Sequence, residues 1–198
     1  MIKAEHVKEL RERTGSGMME CKKALTETSG DIEKAIVYLR ERGLAAAAKK
    51  AGRTAKDGKI EAYIHPGSKL GVLIEINCET DFVAKTDEYQ DLCHEIAMQI
   101  AAADPGYVDR NQVPEQVLEQ EKEIARTQAL SEGKPEKVIA KIVEGRLEKF
   151  YQTVCLLEQP YIRDPNRTVR DLLNEAISRL GENIVISRFV RFRLGEEA

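Results

Sequence analysis

Tryptophan is missing altogether from the 198 residues, and aromatic residues make up only 5% of them. With so few rings to bury, the interior has to be filled by aliphatic side chains, which points to mainly helical cores. No apolar run approaches the roughly 20 residues that a helix needs to cross a bilayer. The opening residues Met1-Ile2-Lys3-Ala4-Glu5-His6 lack the apolar segment of a signal peptide and read as the start of a helix. A soluble cytoplasmic protein without a membrane partner is the expectation. Paired cysteines are missing too. Cys21, Cys78, Cys93 and Cys155 are far apart and form no C-x-x-C pair. Structural zinc takes four ligands, usually paired at short spacings, and His6, His65 and His94 do not complete such a set. The cysteines read as buried free thiols of a reducing compartment, and no metal or other cofactor is expected.

There is little excess charge. Thirty-one Lys and Arg against 34 Asp and Glu leave a formal net charge of −3. A protein held to phosphates by counterion release normally carries a basic excess or a dense basic face. The nearest approach is Lys49-Lys50-Ala51-Gly52-Arg53-Thr54-Ala55-Lys56, short enough to read as a solvated linker, so no direct nucleic-acid partner is expected. Catalytic signatures are absent as well: no G-x-S-x-G elbow, phosphate-binding glycine loop, H-E-x-x-H or dinucleotide fingerprint occurs. The many carboxylates fall on polar helix faces, where a solvated surface is the commoner explanation. The chain reads as a protein that grips another protein, not as an enzyme.

What remains is a normal globular composition, 42% hydrophobic and 33% charged. Residues 1–52 read as a three-helix module. Ala4, Val7 and Leu10 share one helical face. Ser16 is placed to cap a second helix with Met18, Cys21 and Leu25 on one stripe. Asp31 opens a third, where Ile32, Ala35, Ile36 and Leu39 recur at helical spacing and the alanines after Leu44 extend it. Residues 53–58 read as a linker and 59–198 as an α+β core. In the core, Ile60, Ala62 and Ile64 alternate with polar residues, Pro66-Gly67-Ser68 turns the chain, and Leu70, Val72, Ile74, Ile76 and Cys78 line one face of a second strand. A helix follows through Ile96 and Ile100, then a helical pair at about 114–150. A loop from Gln159 to Asn166, a helix through Leu172 and Ile177, and a last strand at Ile184–Leu194 complete the chain. The expected fold is therefore a helical module followed by a three-stranded antiparallel sheet packed with helices.

Two local features stand out. Met18 and Met19 are adjacent, so they project about 100° apart on a helix and both can hardly reach a core this small. Either one of them is a tolerated surface residue, or the pair offers an adaptable apolar contact to a partner. The second feature is Asn77-Cys78-Glu79-Thr80-Asp81-Phe82-Val83-Ala84-Lys85, just after the second strand. Thr80 or Asp81 could simply cap the next helix while Phe82 tucks into the core. Alternatively, the loop presents an acidic group and an aromatic side by side.

These segments carry a resemblance. Leu10–Leu25, centred on Arg13-Thr14-Gly15-Ser16-Gly17-Met18-Met19, resembles the N-terminal signature of the bacterial translation elongation factor Ts family. Glu75–Ala84 is similar to that family's second signature, and the stretches Gly133–Pro160 and Arg188–Phe192 resemble its C-terminal part. The resemblance implies a guanine-nucleotide exchange factor that binds elongation factor Tu in its GDP form and speeds GDP release. It also implies a ubiquitin-associated-like fold for the first module, with Arg11, Met18, Met19 and Lys22 as its partner contacts. Thr80, Asp81, Phe82 and Val83 then become the loop that disturbs the partner's magnesium and phosphate site. With one hairpin-plus-strand core, the chain resembles the short form of the family, in which a homodimer supplies the second half. A generic peptide-holding adaptor and an RNA-binding translation protein are the competing readings. The first leaves the Thr80–Val83 loop without a role; the second rests on the basic linker.

Overall fold

The computed structural model describes residues 2–196. Three helices open the chain, α1 (Ala4–Thr14), α2 (Met18–Glu27) and α3 (Ile32–Lys50), followed by strands β1 (Asp57–Ile64) and β2 (Leu70–Cys78). A four-residue helix α4 (Asp81–Ala84) precedes α5 (Asp87–Ala103), and α6 (Glu115–Ser131) and α7 (Glu136–Val154) form the helical pair. Strands β3 (Pro160–Tyr161) and β4 (Asp164–Thr168), helix α8 (Val169–Leu180) and strand β5 (Val185–Arg193) complete it. The fold is α+β, with β1, β2 and β5 in one antiparallel three-stranded sheet of that order. No helix among the described residues is long and apolar enough to cross a membrane. These residues divide into two compact units: up to Lys59 with Asn77–Leu92 and Asp171–Val185, and Ile60–Ile76 with Cys93–Arg170 and the chain from Ile186 on.

In the first unit the opening helices, consistent with a ubiquitin-associated-like module, close around Leu10, Cys21, Ala24, Leu25 and Ala35, with Val7, Ile36 and Leu39 packed against them. Helix α1 ends at Gly15, whose φ of 65° lets its N–H reach the Arg11 carbonyl at 2.8 Å. A Cβ there would also collide with the Arg179 guanidinium, so conformation and space both demand glycine. The cap of α2 falls one residue later than the sequence indicates: Gly17 is the N-cap and no side chain caps it. Ser16 is held in the preceding turn, donating its N–H to Thr14 Oγ1 at 3.3 Å while its carbonyl accepts from Cys21 Sγ at 3.5 Å. Asp31 caps α3 as expected, accepting the Lys34 N–H at 3.0 Å. Helix α3 continues through the alanine run and is tied to α8 by Arg40–Asp171 at 2.8 Å and by Lys50 Nζ donating to the Ile177 carbonyl at 3.1 Å.

In the second unit Val72, Ile74 and Ile76 of β2 are buried, as are Cys93, Ile96, Ala97 and Ile100 of α5. Strand β1 carries its apolar side outward. Ile60, Ala62 and Ile64 are exposed, whereas Glu61 lies beside His94 of α5 (3.3 Å) and the Tyr63 ring meets the His94 ring edge-on. Helices α6 and α7 pack together through Ala125, Ala129 and Ile139. Near their base, Arg110 donates to both oxygens of Glu148 (2.8 and 2.6 Å) and to Glu158, and lies 4.4 Å over the Tyr151 ring. The Glu158 and Glu148 carboxylates hold this guanidinium more firmly charged than usual. The segment read as a loop, residues 159–166, instead contributes to the small β3–β4 hairpin. Two prolines hide it from a strand pattern. Its stabiliser is distant: buried Gln99 donates to Gln159 Oε1 and the Pro160 carbonyl, both at 3.2 Å, and accepts the Ile162 N–H at 2.8 Å. All four cysteines are free and buried.

Candidate partner-binding site

The Thr80–Val83 loop turns on hydroxyl geometry. Thr80 has an extended backbone and its Oγ1 accepts the Val83 N–H at 3.5 Å, which starts α4. Six residues on, Thr86 repeats the device, accepting the Tyr89 N–H at 3.3 Å and donating to the Val83 carbonyl at 2.8 Å. One hydroxyl thus closes α4 and opens α5. Between them Ala84 is buried and Asp81 and Val83 are half-buried, while Phe82 is 80% exposed. So Thr80 caps the helix, yet Phe82 does not tuck into the core. The only helix face that α4 buries is the one through Ala84, and the ring lies off it.

Asp81 is a carboxylate with one cation beside it. Lys85, one turn later, donates to Asp81 Oδ2 at 2.5 Å, and this hydrogen bond with its charge holds the Asp81 carboxyl below its ordinary value and the Lys85 ammonium above its own. Lys85 is exposed and half of the Asp81 side chain still meets solvent, so the pair adds little stability. What it secures is a negative group next to an exposed ring.

The second set of candidate residues lies on the opening module. Around α2, Cys21, Ala24 and Leu25 define the buried face. Met19 points almost directly away from it and Met18 lies at its rim, so the two are 75% and 59% exposed. Lys22, one turn after Met18, and Arg11 of α1 are exposed as well. Both sets of candidates therefore belong to the same compact unit. Arg53, within the stretch read as a linker, helps to join them: its carbonyl accepts from Asn183 Nδ2 at 2.7 Å and its guanidinium approaches Glu79 at 3.5 Å. Glu79 and Lys85, which help to shape the loop, lie within the segment that the sequence singles out, whereas Thr86, Glu182 and Asn183 were not singled out by sequence. Only Thr86 carried a usable signal, since Thr80 and Thr86 each stand three residues before the N–H they accept. Among the described residues no group of three or more His, Cys, Asp or Glu is arranged to hold a metal ion.

The Asp81–Lys85 pair gives a pH signature. A carboxyl whose pKa is lowered on folding contributes stability above its unfolded value and loses it as pH falls through the folded one. Titration of Asp81 followed by NMR should find a midpoint below the ordinary Asp range, and Lys85→Met should move it upward. A midpoint indifferent to Lys85→Met would contradict the pairing.

Comparison with known proteins converges on one family. The family described as Elongation factor TS matches residues 3–196. The chain is 68% identical over 196 residues to elongation factor Ts of Caldanaerobacter subterraneus subsp. tengcongensis, covering 99% of this chain and 98% of that protein. It is 67% identical to elongation factor Ts of Thermoanaerobacter sp. strain X514, covering 99% and 96%, and 65% identical to that of Heliobacterium modesticaldum, covering 99% and 91%. With a match that runs nearly from end to end, the chain belongs to the elongation factor Ts family.

Proposed function

We propose that this protein is the guanine-nucleotide exchange factor of elongation factor Tu, acting in the cytoplasm during translation. It binds the partner in its GDP form and promotes GDP release by pressing Thr80, Asp81, Phe82 and Val83 against the magnesium and phosphate site. Arg11, Met18, Met19 and Lys22 of the opening module (residues 1–52, joined through 53–58) hold the partner meanwhile. The observation that carries this reading is Phe82, 80% exposed beside an ionised Asp81 on a loop capped at both ends. Bound magnesium offsets the charge of the diphosphate, so a factor that displaces the cation leaves GDP poorly held. Tighter binding to the nucleotide-free partner lowers GDP affinity by the same factor. Differential binding suffices, and no bond is made or broken by this chain.

Truncating a buried Phe to Ala costs about 3–5 kcal/mol, whereas changes at exposed positions stay within about 0.5 kcal/mol. Phe82→Ala should therefore leave the melting temperature nearly unchanged and slow the release of fluorescent GDP from elongation factor Tu. A variant that exchanges at the wild-type rate would remove Phe82 from the site.

We also infer a homodimer built on the sheet. The face formed by Ile60, Ile64, Leu73, Val190 and Phe192 is apolar and exposed, Phe192 to 66%, and it borders a groove of about 570 Å³ lined by Ile64, Leu73, Phe192 and Leu194. Exposed apolar residues grouped in this way on a β-face usually mark an interaction surface. Light scattering should give twice 22.3 kDa, about 45 kDa, and Phe192→Asp should give a folded monomer. A wild-type monomer at micromolar concentration would contradict the dimer.

A further inference from the structure

Helix α8 ends at Gly181, whose φ of 80° turns the chain back, and Glu182 follows at once. The half-buried Glu182 carboxylate is aimed at the start of the Thr80–Val83 loop. Its Oε2 accepts the N–H groups of Glu79 and Thr80, each at 3.0 Å, and its Oε1 accepts the Thr80 hydroxyl at 2.6 Å. Among the described residues no lysine or arginine pairs with it. Several other half-buried carboxylates of the same unit do have a basic partner: Asp171 is paired with Arg40, Glu79 with Arg53, Asp81 with Lys85 and Glu88 with Arg179. What holds the Glu182 carboxylate is two loop N–H groups and one hydroxyl.

The hydroxyl contact carries a further consequence. A threonine hydroxyl has one proton, and here Glu182 takes it, so the remaining lone pairs are free to accept. One of them meets the Val83 N–H and forms the cap of α4. A helix of four residues does not persist by itself, because nucleation costs more than one or two hydrogen bonds return. Its direction is therefore set by whatever fixes Thr80, and two charge-assisted backbone bonds plus the hydroxyl do so. Asn183 adds a second layer, donating its N–H to the Glu79 carboxylate at 2.7 Å.

We propose that Glu182 is a positioning residue for nucleotide exchange: it acts through Thr80 to fix the direction in which Phe82 is presented, and does not itself touch the partner's nucleotide. The inference rests on the reading of Thr80–Val83 as the exchange loop. Without Glu182 the loop samples many directions, and the fraction aligned with the magnesium site falls. The maximal release rate then drops, while the hold exerted by Met18, Met19, Arg11 and Lys22 is left alone.

The test uses the full chain carrying Glu182→Gln, Phe82→Ala or both. Glu182→Gln keeps the size, but removes the charge and turns an NH2 toward the donors. In the free protein, amide exchange at Glu79, Thr80 and Val83 should quicken by about tenfold or more, as expected for losing hydrogen bonds to a charged acceptor, while Leu10 and Ile36 keep their protection. Quickening at all of these amides would signal general destabilisation and overturn the proposal. With elongation factor Tu, the maximal GDP-release rate should fall several-fold and the concentration for half-maximal effect should change little. The double variant should be no slower than Phe82→Ala alone. Wild-type release by Glu182→Gln together with slow release by Phe82→Ala overturns the inference and leaves the loop reading intact. A double variant slower than either single one also overturns it, because Glu182 would then act elsewhere. Wild-type release by Phe82→Ala removes the loop reading and this inference with it.

Discussion

A phenyl ring left in water forgoes roughly 1.5–3 kcal/mol of burial, and a chain free to move would fold it away. Phe82 stays out because its backbone has no such freedom. Thr80 and Thr86 cap the turns on either side of it, Ala84 pins the buried side of α4, and Glu182 and Asn183 clamp the residues leading in. The donors leading into that short stretch are met by Glu182 from distant sequence and the Val83 N–H by Thr80 itself, so the ring can be held outside without a long helix to carry it. The same unit contains the opening module, joined to α8 through Arg40 and Lys50 and to the loop through Arg53. On the proposed reading, one unit therefore supplies both the surface that holds the partner and the group that disturbs it.

On the proposed reading, no acid–base or nucleophilic apparatus is needed. Exchange is a change in the affinity of another protein for its ligand, and linkage requires only that the factor favour the empty form. Exposed methionines suit the holding role because the unbranched thioether adapts to a partner's surface. A fixed aromatic beside a fixed negative charge suits the disturbing role, since a charge aimed at a cation site and a ring that cannot retreat both act only when their direction is set.

Much of this was legible in the sequence. The helical spacing from Ile32 to Leu39, the cap at Asp31, the alternation from Leu70 to Cys78 and the turn at Pro66-Gly67-Ser68 are local signals, and local chemistry governs them. The Thr80 cap and the two long signatures were readable for the same reason. What was not legible depends on residues far apart in the chain. Nothing near Gln159 announces a hairpin, because Gln99 supplies its bonds from α5. Nothing near Glu182 points to Thr80, 102 residues away. Alternation alone also leaves open which side of β1 faces the helices; the polar side does, because Glu61 and Tyr63 meet His94 there.

The most direct test of the central claim is the magnesium dependence of the effect. Release of fluorescent GDP from elongation factor Tu is measured with and without this protein, once in millimolar magnesium and once with the cation chelated. If the loop works by disturbing the magnesium and phosphate site, the factor accelerates release strongly in magnesium and far less once the cation is gone, because that part of the barrier no longer exists. An equal fold acceleration in both conditions would contradict the account.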